Sequence, residues 1–357
     1  MNIYLAYIIG LVLLYMILKP QKYIINKKIF LSIAFVFLLL ISCFRTEAVG
    51  ADTKEYVRYF GIVKEYKLVW LFENFRYEKG FATFCKIISY ISSNPQILII
   101  ASSIIIISSV FYFIAKNSSN IFLSILLFIL LNYYFMYISA MRQAMAVAII
   151  LFGYTFFYKT NHNKMFILMI LFASLFHTAA LCALIIAMIP QKMCFNKKYF
   201  LLTILLSILA FVISECAFSF LVNDNQYSYY KNSEYSQGGN IAGYVNYIIA
   251  LSIFFFSYVF GNKKIKVDKF FNNYLFVLAI NLIITAFAIK ISIFMRLTVY
   301  FNVFDIIFIP YVINNIGVDN NKKIMKIIIY VSIFLYWFVI SKCRPEWYGC
   351  IPYTSIL

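Results

Sequence analysis

The sequence predicts an all-α, polytopic transmembrane protein with about 10–12 membrane segments, including a short re-entrant hairpin near residues 164–189. Three observations carry that prediction. Of 357 residues, 64% are hydrophobic and 12% charged, whereas soluble domains run nearer half apolar and a quarter charged. Apolar runs such as 97–115 and 200–221 are long enough to cross about 30 Å of hydrocarbon at about 1.5 Å per residue. Lysines fall in short clusters between the runs, as topology charges do. Together these exclude a soluble enzyme, a disordered chain and a polar solenoid.

In order, the apolar segments are 2–18, 29–44, 96–115, 120–139, 143–158, 164–189, 199–221, 244–260, 270–289, 293–313 and 324–341. The first lacks a basic leading region and a small-residue cleavage site, so no cleavable signal is expected. Residues 45–95 are polar and aromatic, and their part 80–93 is amphipathic, more interfacial than spanning. A second polar loop, 222–243, is rich in Tyr, Asn and Ser, and the tail 342–357 is polar and aromatic. With no internal repeat, residues 1–357 read as a single integral-membrane domain. The cysteines show no metal-ligand spacing, although Cys343 and Cys350 suggest a disulfide in the tail.

Charge then sets orientation. The net charge of +18 reads as membrane orientation rather than nucleic-acid binding, because the lysines sit between spans. Lys19, Lys22, Lys27 and Lys28 put loop 19–28 in the cytoplasm, and loop 45–79 then lies outside. If 164–189 crosses once, the clusters Lys192, Lys197, Lys198 and Lys263, Lys264, Lys266, Lys269 fall outside, against the rule. A bend near Phe176-His177-Thr178 returns every later cluster to the inside. Each arm is then about 18 Å long, too short to span, and such a bend must be buried in protein or face a wet cavity. With the hairpin in place the inner charges are lysines. Arg45, Arg58, Arg76, Arg142, Arg296 and Arg344 all fall on or near the outer face. Arginine, with its planar five-donor fork, suits phosphate and carboxylate, so the outer face reads as the working face.

Candidate residues follow from that face. Arg142 and Gln143 open a helix whose Ala144 and Ala148 permit close packing; such an arginine is either an interfacial anchor or part of a site. Arg296 interrupts the run 291–309, with Tyr300 one turn on and Asp305 deeper. Nine residues separate Arg296 from Asp305, so the two cannot pair along one helix, and Arg296 needs a partner in protein or ligand. His177 at the bend is either a satisfied buried histidine or a functional one. In the first outer loop, Asp52, Tyr56 and Tyr59 lie between Arg45 and Glu78, a composition shared by solvated loops and sugar-binding surfaces. The acid–base candidates there are Asp52, Glu55 and Glu78, and spacing does not select one. No GxxxxGK[ST], HExxH or GxSxG motif occurs, so no metal or cofactor is expected.

These residues also carry a family resemblance. Arg45 with GADTKEYVRY (50–59), Glu78-Lys79-Gly80-Phe81, Met141-Arg142-Gln143-Ala144-Met145-Ala146, Phe172 to Leu181 around Phe176-His177, Arg296 with Tyr300-Phe301, and Pro352-Tyr353 occur in the order in which the EpsG family of polysaccharide polymerases has them. The chain resembles that family, a relative of Wzy-type O-antigen and capsule polymerases, over roughly residues 40–353. It departs at Met141, where a glycine is common, and at Thr178-Ala179. The resemblance implies a GT-C-like enzyme in the bacterial plasma membrane, active on its outer face. It would join undecaprenyl-pyrophosphate-linked oligosaccharide repeats into O-antigen, capsule or exopolysaccharide. Its partners would be that lipid-linked glycan, the bilayer, and a chain-length regulator and flippase of the same pathway. Arg142, Arg296, His177 and Asp52 would be catalytic. Arg45, Tyr56, Tyr59, Glu78, Gln143 and Tyr300 would bind substrate. A flippase for lipid-linked glycan and a glycan ligase are the competing readings.

Overall fold

The computed structural model describes residues 1–189, 193–222, 241–265, 269–316 and 319–356. Residues 223–240 of the second polar loop, together with Lys192 and Lys266, lie outside the described residues. Among those described, the chain is helical and carries no strand, only an isolated bridge between Arg45 and Ser355. Seven helices are long and apolar enough to cross a membrane, or nine if two bent pairs each count as one span. The protein is a multi-pass membrane protein. It divides into two compact units, residues 1–181 with 323–357, and residues 182–322.

The first unit begins with α1 (Asn2–Leu18) and α2 (Ile24–Cys43), joined by a turn in which Lys19 adopts a left-handed conformation. Three short helices follow: α3 (Thr53–Val63), α4 (Leu68–Asn74) and α5 (Lys79–Ile91). Helix α6 (Gln96–Asn117) packs between α2 and α9 (Met141–Gly153). The expected span 120–139 is instead bent by 57° into α7 (Ile121–Leu130) and α8 (Tyr133–Ser139). The hinge is Asn132, at φ 63°, a conformation that asparagine tolerates better than most side chains. Helix α9 continues as a π-helical turn, Tyr154–Tyr158, and α10 (Asn163–Ser174) packs back on it. The helix stops at Ser174. A non-helical Leu175–His177 precedes a 3₁₀ turn, Thr178–Ala183, and α11 (Leu184–Met188). The helix of segment 164–189 is thus interrupted at 175–177, leaving two helical stretches that are each shorter than a span.

Side-chain bonds fix which ends of the first unit lie together. Gln96 Nε2 donates to the carbonyls of Cys43 and Arg45, at 2.7 and 3.1 Å, so α6 starts where α2 ends. At the opposite end, Lys159 Nζ donates to Asn117 Oδ1 at 2.9 Å, and Pro20, Gln21 and Lys27 share a cleft with Ser119 and Asn120. Lys19, Lys22, Lys27, Lys116 and Lys159 therefore occupy one end. Arg45 and the start of α9 with Arg142 occupy the other. The tail is tied to the arginine end: Thr46 N–H donates to Thr354 O, Ile356 N–H to Phe44 O, and Gly50 N–H to Gly349 O, at 2.8–3.1 Å.

One expectation fails in that tail. Cys343 and Cys350 are both free thiols. Cys343 is exposed, whereas Cys350 is buried and donates to Phe135 O at 3.6 Å. Burial pushes the Cys350 thiol up to about 12. The turn Pro345–Trp347 separates the two cysteines by carrying the chain into the loop packing.

The second unit holds α12 (Lys197–Val222), α13 (Ile241–Ile265), α14 (Lys269–Lys290), α15 (Met295–Asn302) and α16 (Asp305–Asn314). Helix α14 lies between α12 and α13, with 72% of its span buried against 22% for each of theirs. The expected span 293–313 is broken at Val303–Phe304 by 51°. Val303, Phe304 and Asp305 are all buried, as non-helical backbone at membrane depth must be. Asp305 opens α16, where a carboxylate complements the helix dipole, and Tyr274 donates to its Oδ1 at 3.0 Å. The last helix, α17 (Asp319–Cys343), leads back to the first unit's tail.

Candidate functional site

The side chains with most chemistry gather at the arginine end of the first unit. Ala140 is non-helical, so α9 begins abruptly at Met141 and presents Arg142 in its first turn. The guanidinium lies among aromatic rings, with its carbon 4.7 Å from the Tyr77 centroid, 5.6 Å from Tyr56 and 6.0 Å from Phe81. These are cation–π distances. The rings also pack on one another: Tyr59 and Tyr77 are 4.4 Å apart edge to face, and Tyr56 and Phe81 5.5 Å. Arg142 Nη1 is ion-paired with Glu78 Oε2, and a further side-chain hydrogen bond joins Arg142 to Tyr56.

Each member is delivered by a different element. Amphipathic α3 buries Tyr56, Tyr59 and Phe60 on one face and leaves Glu55 and Arg58 outside, where they pair with each other at 2.9 Å. Asp52 precedes α3, is exposed, and accepts from Tyr56 Oη at 3.4 Å. Burial pushes the Tyr56 phenol up, against the pull of Arg142, so it stays protonated and donates. Helix α5 starts just after Glu78 and drives Phe81 fully into the core. Lys86 anchors this layer from behind: its buried ammonium donates to the carbonyls of Val63, Lys64 and Tyr66 at 2.8–3.0 Å, satisfying the end of α3.

The arrangement can hold an anion. Arg142 keeps 20% of its side-chain surface exposed, and its buried Nε has no hydrogen-bond partner. A buried unsatisfied donor costs about 1–3 kcal/mol. The α9 amino terminus adds partial positive charge beside it.

The sequence candidates sort as follows. Arg142, Glu78, Tyr56, Tyr59 and Asp52 come together. His177 is partly exposed in the 175–177 break, next to Thr178, whose backbone N–H donates to Glu78 Oε1 at 3.2 Å. Gln143 is buried beside Arg142 in α9. Arg45 is only 1% exposed: its guanidinium donates to Ser42 O at 2.5 Å, Ser103 Oγ at 2.8 Å and Ile138 O at 3.2 Å. Arg296 and Tyr300 belong to α15 of the second unit, Arg296 partly exposed and Tyr300 fully buried. Sequence reasoning missed Tyr77 and Phe81 as ring neighbours of Arg142. Their signal was adjacency to Glu78 and the apolar face of α5.

The fold defines a polytopic all-α membrane protein, and the cluster gives it a partly buried cation set among aromatic rings. The chain belongs to the EpsG family, whose model matches residues 28–355, nearly its whole length. EpsG is a Wzy-like polymerase family. No curated protein and no solved structure matches the chain.

Proposed function

We propose that this protein is a repeat-unit polymerase working on the outer face of the bacterial plasma membrane. It transfers a growing glycan from undecaprenyl pyrophosphate to the non-reducing end of another lipid-linked oligosaccharide. A hydroxyl of the acceptor attacks the anomeric carbon, the sugar–phosphate bond breaks, and undecaprenyl pyrophosphate leaves. The observation that carries this reading is Arg142: a guanidinium still 20% exposed beside its pair with Glu78, in the first turn of a helix and ringed by aromatics. A preorganised cation there acts on charge that develops as the leaving group departs. The partly exposed Tyr77 ring and the exposed Asp52 carboxylate suit a sugar. The acceptor proton goes to His177, which is one residue from the group bound by Glu78, with Asp52 the rival base.

The test uses purified protein in nanodiscs with defined lipid-linked repeats, read as a glycan ladder. Loss of a leaving-group cation typically costs about 10²–10³ in rate, and lysine lacks the fork. Arg142→Lys is expected to fall by that factor. Arg296→Lys tests separately whether a second cation serves the same leaving group. Normal ladders from a folded Arg142→Lys protein would overturn the assignment. His177→Gln active beside a dead Asp52→Asn would move the base role to Asp52. In cells, gene deletion should leave single repeats on their carrier. Absence of external repeats would indicate a flippase, and long unattached polymer a ligase.

A further inference from the structure

The Glu78 carboxylate is fully engaged by protein. Oε2 pairs with Arg142, while Oε1 accepts from Thr178 N–H at 3.2 Å and Thr178 Oγ1 at 3.4 Å. Two residues on, Gly80 N–H donates to Leu175 O at 2.8 Å. A Cβ at Gly80 would lie 2.6 Å from that same oxygen, closer than carbon and oxygen approach, so only glycine lets the backbones meet. The first turn of α5 is therefore stitched to the 175–178 break on both sides of His177, and by the same carboxylate to Arg142. The amides of Leu175, Phe176 and His177 bond back to Phe172 and Ala173 at the end of α10, whereas Thr178 N–H, the first past His177, goes to Glu78, a hundred residues away in sequence.

We propose that Glu78 and Gly80 form a positioning clamp that fixes the His177 turn relative to the Arg142 fork, rather than a contact for sugar. Glu78 is the positioning residue, and Gly80 is the close approach that makes its reach possible. This rests on the polymerase reading above, in which His177 and Arg142 act on the two ends of one transfer. A displacement of about 1 Å between reacting groups can cost on the order of 10²-fold in rate, and the bonds of the turn to α10 do not tie it to Arg142, which the Glu78 carboxylate does.

Gly80 has no side chain to offer a substrate, which makes it the discriminating position. Glu78→Ala, Glu78→Gln and Gly80→Ala are compared with wild type in nanodiscs by two measurements. The first is amide hydrogen exchange without substrate. Peptides over 175–178 should exchange at least tenfold faster in Glu78→Ala and Gly80→Ala, with α6 protection unchanged as the check on folding. Glu78→Gln offers one acceptor where two are needed and should fall between. The second is polymerisation: kcat should drop about 10²-fold in both alanine variants, with KM for the lipid-linked repeat within about twofold. Unchanged exchange at 175–178 would overturn the clamp. So would a Glu78→Ala protein with raised KM and intact kcat beside a fully active Gly80→Ala, which would make Glu78 a substrate contact. If neither alanine variant folds, Glu78→Gln decides by the same criteria. Because exchange is read without substrate, faster exchange with no elongation by wild type would sink the polymerase reading and leave the clamp standing.

Discussion

Arg45 and Arg142 stand at the same end of the first unit and do different work. Arg45 spends its donors on Ser42, Ser103 and Ile138 inside the protein, joining α2, α6 and the end of α8. Its Nε, like that of Arg142, lacks an acceptor, but only 1% of the residue is exposed, so no ligand reaches it. Arg45→Met should therefore destabilise, because Ser42 O, Ser103 Oγ and Ile138 O each lose a hydrogen bond to a charged group, worth about 1.5–3 kcal/mol. A thermal melt in detergent should show the loss, with KM of the surviving protein unchanged. An unaltered melting point with a raised KM would instead make Arg45 a substrate contact. Sequence could not separate the two arginines. Each sits at the end of an apolar run, and whether the fork meets carbonyls or an open face depends on α6 and α8, distant in the chain.

At the scale of elements, apolar runs were legible and their breaks only partly. The interruption at 175–177 falls at the position where the charge pattern places a bend, since a single crossing there would put the later lysine clusters outside. The breaks at Asn132 and at Val303–Phe304 were marked only by isolated polar residues, Asn132 itself and Asn302 with Asp305, which do not announce a break because the bent backbone is protected by tertiary burial. The tail was equally opaque: its polar–aromatic composition does not reveal that it pairs with loop 44–51. That pairing makes a prediction. Deleting residues 345–357 removes the bonds to Phe44, Thr46, Gly50 and Ala51, each worth about 0.5–1.5 kcal/mol net. It also uncovers the seat where Tyr4 donates to Cys350 O and Tyr353 to Ile41 O. The truncated protein should melt at lower temperature and exchange amides faster over 44–52, just ahead of α3. A truncation with wild-type exchange over that loop would mean the tail is dispensable for holding Asp52 and Tyr56 in place.

For the orientation of the molecule, the feature that sequence and structure share is the placing of the first unit's arginines, which sit with further lysines such as Lys54 and Lys86 at one end, away from the lysines of the short loops. In the first unit Lys19, Lys22, Lys27, Lys116 and Lys159 collect at one end, and Arg45 and Arg142 with their loops at the other. Short-loop lysines favour the cytoplasmic side, so the arginine end should face out, as the proposed polymerisation requires. Lys22 and Lys54 are exposed, one near each end. Single cysteines at these positions, in a background where the exposed Cys194, Cys216 and Cys343 are serine, report sidedness with a membrane-impermeant maleimide. Cysteine at 54 should label in intact cells, and cysteine at 22 only after permeabilisation. The reverse pattern would put Arg142 and its aromatic ring in the cytoplasm. Donor and acceptor glycans would then have to be on the inner leaflet, and an outer-face polymerase would be excluded whatever the fate of the Arg142 variants. Because labelling needs neither substrate nor turnover, it tests the face of the membrane independently of the chemistry assigned to it.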